Sequence, residues 1–343
     1  LSDWSSDVCS SDLTVYVRQL DVAGNVSAST IFTFTYDSVA PATTIATATF
    51  SADTGSSATD LITKTASQTV SGTLSANLAA GETVRVSLDG GTTWQNATAT
   101  VGQTGWSLSG VTLTGSSTLQ VKVVDTAGNN GAVYSKAYVL DTQALAPTVA
   151  LVTDSGSSSV DKITNVGTLS VTGTETGALV QYSSDNVNWA TTAPTLAQGG
   201  NTVYVRQTDV AGNTSQATAF TFTYDTQAAA PTVALVTDSG FSADDKVTND
   251  GTLAVSGTEV GATVQYSANG TDGWSTTAPT LSQGGNTVYV RQIDVAGNTS
   301  QATAFTFTYD TQAAAPTVAL ATDSGFSADD KVTNDGTLAV SGT

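Results

Sequence analysis

Histidine and methionine are absent from the 343 residues, and cysteine occurs once, at Cys9. Without histidine the chain lacks the commonest general base, and most zinc and iron sites need that side chain too. A single cysteine forms no internal disulfide, which shifts the expected staple of a small extracellular domain from a disulfide to a metal. Positive charge is scarce as well. Ten Lys and Arg stand against 29 Asp and Glu, a formal net charge of −19. That balance argues against nucleic acid, where basic surface supplies most of the affinity, and against docking on anionic lipid. No apolar stretch reaches the ~18 residues of a membrane span, and no signal peptide is recognisable. Only 11% of residues are charged, so the acid is concentrated at a few positions.

What the chain does contain is copies of itself. Residues 201–258 return as 286–343 with two changes, Ile293 in place of Thr208 and Ala321 in place of Val236. The copies stand 85 residues apart, and an older one lies 84 residues earlier at 125–141. So long a period predicts an array of small domains, each able to bury its own core, rather than one large enzyme core. Four boundaries carry a similar marker: Asp37 before Pro41, Asp141 before Pro147, Asp225 before Pro231 and Asp310 before Pro316. Proline, with fixed φ and no N–H, suits a link just outside a sheet. The expected units are a C-terminal remnant at 14–37, complete domains at 38–141, 142–225 and 226–310, and an N-terminal remnant at 311–343. The chain stops within a repeat and reads as a fragment. Residues 1–13, LSDWSSDVCSSDL, match no other copy; they resemble translated sequencing-adapter sequence, so a non-native segment is expected there.

Within 226–310 the apolar period is two. Phe305, Phe307 and Tyr309 alternate with Ala304, Thr306 and Thr308, and Val288 and Val290 alternate with Tyr289 and Arg291. Short runs at 232–236, 251–256 and 262–267 are separated by Gly, Asn and Asp turns. This spacing predicts an all-β sandwich. Residues 101–114, around Trp106, are expected to add a hairpin to the first complete domain. Trp94, Trp189 and Trp274 each follow a polar hairpin and are expected to pack rather than bind sugar.

Three stretches carry a resemblance. They are Leu-x-Gln-Gly-Gly-Asn-Thr-Val-Tyr-Val-Arg-Gln, Asp-Val-Ala-Gly-Asn, and Thr-Asp-Ser-Gly opening a long first loop. Together they resemble the bacterial immunoglobulin-like domains of large repetitive surface adhesins, over about residues 14–343. The resemblance implies a tandem array of immunoglobulin-like β-sandwich domains in a surface-exposed or secreted fibre, of the kind serving cell adhesion and biofilm. It also implies calcium between domains. The first complete domain departs from the pattern, with Asp125-Thr-Ala-Gly-Asn129 and with Lys64 where its neighbours have Asn165 and Asn249.

The carboxylates recur in three places: the first loop (Asp53 and Asp60, Asp154 and Asp161), the boundary (Asp141, Asp225), and the last loop (Asp209, Asp294). In a seven-stranded sandwich of this type, the first loop and the end of the last strand share one pole; the last loop lies at the other. Head-to-tail stacking then gathers Asp53, Asp60, Asp141, Glu175, Asp209 and Asn213 at one junction. At the next it gathers Asp154, Asp161, Asp225, Glu259, Asp294 and Asn298. So many oxygen ligands would repel one another without a cation, and hard oxygen donors in number select calcium. The same aspartates also suit turns, and the two readings are compatible. Carboxylate pairs that repeat in every domain, in loops with no evident pocket, do not point to glycoside hydrolysis. Asn-x-Ser/Thr at Asn25, Asn96, Asn213 and Asn298 is read as chance recurrence.

These observations lead to a non-enzymatic spacer segment of a large bacterial cell-surface or secreted adhesin. Its partners would be neighbouring repeats of the same chain, with any host or surface ligand held by a tip outside this fragment. The alternative is a module that recognises host glycans or surface proteins through its loops; an exposed, non-packing aromatic set at one pole would favour it.

Overall fold

A computed structural model describes residues 11–342 of the chain. The unmatched segment at 1–13 falls largely outside them, but Ser11–Val17 is a strand in antiparallel register with Thr30–Tyr36. Every regular element among the described residues is a β-strand. The chain divides into two compact units, one holding residues 1–150, 170–195 and 202–220, the other 151–169, 196–201 and 221–343.

In the first unit, the domain that begins after Asp37 has two sheets. One runs Ile62–Thr63, Tyr134–Leu140, Ser117–Val124, Thr83–Ser87, Gln95–Asn96; the other runs Ile45–Phe50, Ser67–Leu74, Gly105–Thr112, Thr98–Ala99. The alternation puts Leu119, Val121 and Val123 on the buried face beside Val84 and Val86 of the same sheet, with Val70 from the other sheet in the same core. Each such side chain contributes roughly 1.5–3 kcal/mol on burial. Thr98–Ala99 pairs with Gly105–Thr112, which pairs in turn with Ser67–Leu74. This pairing widens the second sheet and buries Trp106 in the core.

In the second unit, the domain after Asp225 places Val247–Thr248, Thr303–Tyr309, Gly284–Ile293 and Thr263–Ser267 in one sheet, and Thr232–Leu235 with Leu253–Ser256 in the other. Val288, Val290 and Phe307 face Val233 in the core, as the period of two predicts. A feature the periodicity did not reveal decides where the first loop lies. The chain leaves Thr232–Leu235 in one sheet and rejoins the other at Val247–Thr248, a two-residue strand parallel to Thr303–Tyr309. Residues 236–246 make that crossing and carry Asp238 and Asp245 with them. The first domain repeats the device, with Ile62–Thr63 parallel to the end of Tyr134–Leu140.

Candidate metal centre

The last loop closes on its own aspartate. The Asp209 Oδ1 atom accepts the Asn213 backbone N–H at 2.8 Å, and Oδ2 accepts the Asn213 side-chain amide at 2.7 Å. The Asp209 N–H donates to the Asn213 carbonyl at 2.9 Å, and the Gly212 N–H to the Asp209 carbonyl at 3.2 Å. Gly212, at φ 89°, turns the chain in the left-handed region that glycine enters without a Cβ clash. Asp294 and Asn298 repeat the same bonds at 2.8 and 2.7 Å. Asp125 and Asn129 do so too, and there the Asn129 amide holds the Asp125 carboxyl below the usual carboxylate range.

The asparagine also reaches the boundary. Asn213 Nδ2 donates to the Asp141 carbonyl at 2.9 Å, and Asn298 Nδ2 to the Asp225 carbonyl at 2.8 Å. Each boundary aspartate is thereby held beside the last loop of the domain that follows it. The third acid comes from the loop after the second strand, where Glu175 Oε1 accepts the Leu145 N–H at 2.9 Å and Glu259 Oε1 the Ala229 N–H at 2.8 Å. One oxygen each from Asp141, Glu175 and Asp209 lies within 4.8 Å of the others; Asp225, Glu259 and Asp294 form the matching group in the other unit. Asp209 and Asp294 are buried, and the other four are half-buried. Among the described residues these are the two carboxylate groups of this kind.

Not every predicted ligand joins them. Asp53, Asp60, Asp154 and Asp161 stay in the first loop, outside both groups. There Asp53 Oδ2 accepts the Leu61 N–H and Asp60 Oδ1 the Ile62 N–H, both at 3.0 Å. Asp154 and Asp161 bond Lys162 and Ile163 in the same way, at 2.9 and 3.0 Å. The remaining oxygen, Oδ1 of Asp53, Asp154, Asp238 and Asp323, is buried and without a hydrogen-bond partner in all four copies. Burial, with the Asp60 charge beside it, pushes the Asp53 carboxyl up. The residue that follows the second aspartate takes a left-handed φ although it is not glycine: Leu61 at 64°, Lys162 at 61°, Lys246 at 59° and Lys331 at 58°. Such a backbone costs on the order of 1–3 kcal/mol each. Asn213 and Asn298 join the groups as brackets: their amide hydrogens go to the aspartate and the boundary carbonyl.

The first loop instead meets the next copy's last loop through its backbone. Thr54 Oγ1 donates to the Ala211 carbonyl at 2.7 Å, and Ser155 Oγ donates to the Ala296 carbonyl at 2.8 Å. A family model described as a bacterial Ig-like domain matches residues 40–142, 143–226 and 227–311. The chain belongs to that family. It is a tandem array of bacterial Ig-like domains. No curated protein matches it. Among solved structures it is similar to a biofilm associated protein, BSP domain, at 19% identity and TM-score 0.19, over 48% of this chain and 29% of that one. It is also similar to fibronectin(III)-like modules of Clostridium thermocellum CbhA, at 14% identity and TM-score 0.27, over 52% of this chain and 94% of that one. Drosophila N-cadherin EC1-3 is similar at 12% identity and TM-score 0.19, over 67% and 89%. The chain thus spans less than a third of the length of the first of these.

Two Ig-like contacts differ in chemistry. In the first unit Lys64 Nζ donates to the Gly212 carbonyl at 2.6 Å, so an ammonium stands on the loop that carries Asp209. In the second unit Asn165 Nδ2 donates to Asn298 Oδ1 at 3.2 Å instead. The hairpin tryptophans pack against cations on a neighbouring strand: Lys122 over Trp94, Arg206 over Trp189 and Arg291 over Trp274, each 4.0 Å from the ring centroid. Sequence reasoning passed over the Thr54 and Ser155 hydroxyls and the buried Gln207 and Gln292. The glutamines do leave a signal, because each stands on the apolar face of its alternating strand, in step with Val203 and Val205 or Val288 and Val290.

Proposed function

We propose that this array is a non-enzymatic spacer segment of a large bacterial cell-surface or secreted adhesin, stiffened by calcium at its domain junctions. The observation that carries this reading is the repetition of one carboxylate triad, Asp141–Glu175–Asp209 and Asp225–Glu259–Asp294, at equivalent places in both units. Each triad draws its acids from the end of one Ig-like domain and two loops of the next, so a cation there would join consecutive domains. The donor set fits calcium, which takes oxygen ligands in flexible geometry. The buried, unpartnered Oδ1 of the first-loop aspartates offers a further oxygen of the same kind near each contact. Calcium would supply charge neutralisation and coordination. The chain's own residues orient the acids, through Asn213 and Asn298, and keep them facing one another. Ig-like domains of this family serve as structural modules, and the aspartates of the boundary and the last loop recur from copy to copy instead of marking one reaction centre. The tryptophans engaged by Lys122, Arg206 and Arg291 are committed to packing, while Phe241 and Phe326 of the first loop stand exposed and keep the ligand-binding alternative in play.

Calorimetric titration of the full chain with calcium tests the reading. Two sites with a dissociation constant of ~10⁻⁴–10⁻³ M are expected, the range of extracellular modules. Absence of any binding heat at millimolar calcium, with thermal stability equal in calcium and chelator, would reduce the aspartates to turn residues.

A further inference from the structure

We propose that Gln292 and Gln207 are internal latches that fasten a linker to the middle of the sheet of the domain it enters. Gln292 is fully buried on the strand Gly284–Ile293, a polar side chain on the face that buries Val288 and Val290. Its Nε2 donates to the Ala229 carbonyl at 2.7 Å, and its Oε1 accepts the Glu259 N–H at 2.8 Å. Glu259 Oε1 in turn accepts the Ala229 N–H at 2.8 Å. The three residues form a closed ring, in which both backbone polar groups of Ala229, an exposed linker residue, are held from inside the domain. Gln207 makes the same ring with Leu145 and Glu175, at 2.6, 2.8 and 2.9 Å. Two copies of one ring, each centred on a fully buried glutamine, are more than turn chemistry. A buried amide with both ends satisfied contributes to stability, whereas one left half-paired would be costly.

The first domain shows what happens without the latch. Val123 occupies the glutamine's place, fully buried, and Ala79 stands where Glu175 stands, accepting the same turn bond, from Glu82, at 3.2 Å. Its linker is also shorter: three residues, 38–40, separate Asp37 from Pro41, against five, 142–146 and 226–230, before Pro147 and Pro231. Glutamine and glutamate are present together with the long linker and absent together with the short one. The latch therefore takes up the slack of two extra residues.

Its consequence is mechanical, and that part rests on the spacer reading. A pull entering at the linker would act first on Thr232–Leu235, a four-residue strand paired only to Leu253–Ser256. The latch hands the load at Ala229 to Gly284–Ile293, which is laddered on both sides, to Thr263–Ser267 and Thr303–Tyr309.

Hydrogen exchange of the full chain in chelator tests the latch without any metal. Gln292→Val copies the first domain's residue, and Glu259→Ala copies Ala79 while leaving the core intact. Loss of one net hydrogen bond should speed Ala229 amide exchange ~5–10-fold in both variants, with the amides of 288–290 keeping wild-type protection. Unchanged exchange at Ala229 in both variants overturns the latch. Should Gln292→Val also deprotect 288–290, Glu259→Ala alone decides. End-to-end pulling of the full chain then reads the load transfer: one unfolding event at lower force in Gln292→Val is expected. Equal forces beside a faster Ala229 amide would overturn the mechanical role while leaving both the latch and the calcium reading standing.

Discussion

Gly156 lies so close to Val295 that a methyl group on its α-carbon would sit 1.9 Å from the Val295 carbonyl oxygen. Gly55 stands in the same relation to Val210, also at 1.9 Å. Both glycines have left-handed φ, 100° and 91°, and both follow the hydroxyl that donates to the next carbonyl along. Space and backbone conformation thus both demand glycine at Gly55 and Gly156.

Gly156→Ala should open this contact without touching either core. Gly128, at φ 94° with nothing within 4 Å of a built Cβ, is the control for backbone strain alone. Both alanines should cost on the order of 1–3 kcal/mol of strain, and Gly156→Ala more, through the clash. Thermal unfolding of the full chain that gave equal losses for the two variants would mean that the contact adds nothing to stability.

Calcium should raise the unfolding temperature. With a dissociation constant of ~10⁻⁴ M, about 1 mM calcium stabilises by roughly 1.4 kcal/mol per site. For a domain of this size that corresponds to several degrees, on the order of 4–8 °C per kcal/mol. Asp225→Asn should abolish the part of the gain that belongs to the second unit and leave the rest, since it removes a charged ligand at little steric cost. Melting curves in calcium and in chelator, for both proteins, check this.

Lys64 should make the two sites unequal. Its ammonium on the Gly212 carbonyl opposes a second cation at the Asp141–Glu175–Asp209 group, whereas Asn165 carries no charge. Lys64→Asn should tighten the weaker of two calcium-binding steps and bring the two affinities together. Two steps that were already equal in the parent chain would contradict this role for Lys64.

The aspartates should give opposite pH responses. The folded Asp53 carboxyl is raised by burial and by Asp60, so its contribution is fully present below the unfolded carboxylate pKa. That contribution is lost as pH rises through the folded value. In chelator, Asp53→Asn should therefore stabilise the chain near neutral pH and steepen the acid limb of the stability profile, because the stability that Asp53 gains on protonation is removed. Asp89 behaves the other way: the Thr93 hydroxyl, then the Thr93 N–H and Ser87, hold its carboxyl down at about 2. Its support is present above the unfolded pKa and fades as pH falls from about 4 towards 2. Unfolding temperatures from pH 2 to 7 for the parent, Asp53→Asn and Asp89→Asn separate the two.

Strand faces and the tandem repetition were legible in the residues alone. Val288, Val290 and Phe307 declare a buried face by their spacing, because a strand's side chains alternate whatever it packs against. The acids of the last loop were legible as well, since Asp-Val-Ala-Gly-Asn closes through bonds among its own five residues. Tertiary structure alone decided which acids meet. The candidates at one junction divide into an Asp141–Glu175–Asp209 group and a separate Asp53–Asp60 loop, because the chain crosses between sheets through that loop. The loop then meets Val210–Gly212 through Gly55 and Thr54 instead of its carboxylates. The buried Gln207 also needed the fold for its meaning: an amide on an apolar face signals a partner, but only the folded linker supplies the Leu145 carbonyl. Periodicity is local and survives in the sequence, whereas the meeting of residues as far apart as Asp141 and Asp209 depends on how whole strands pack.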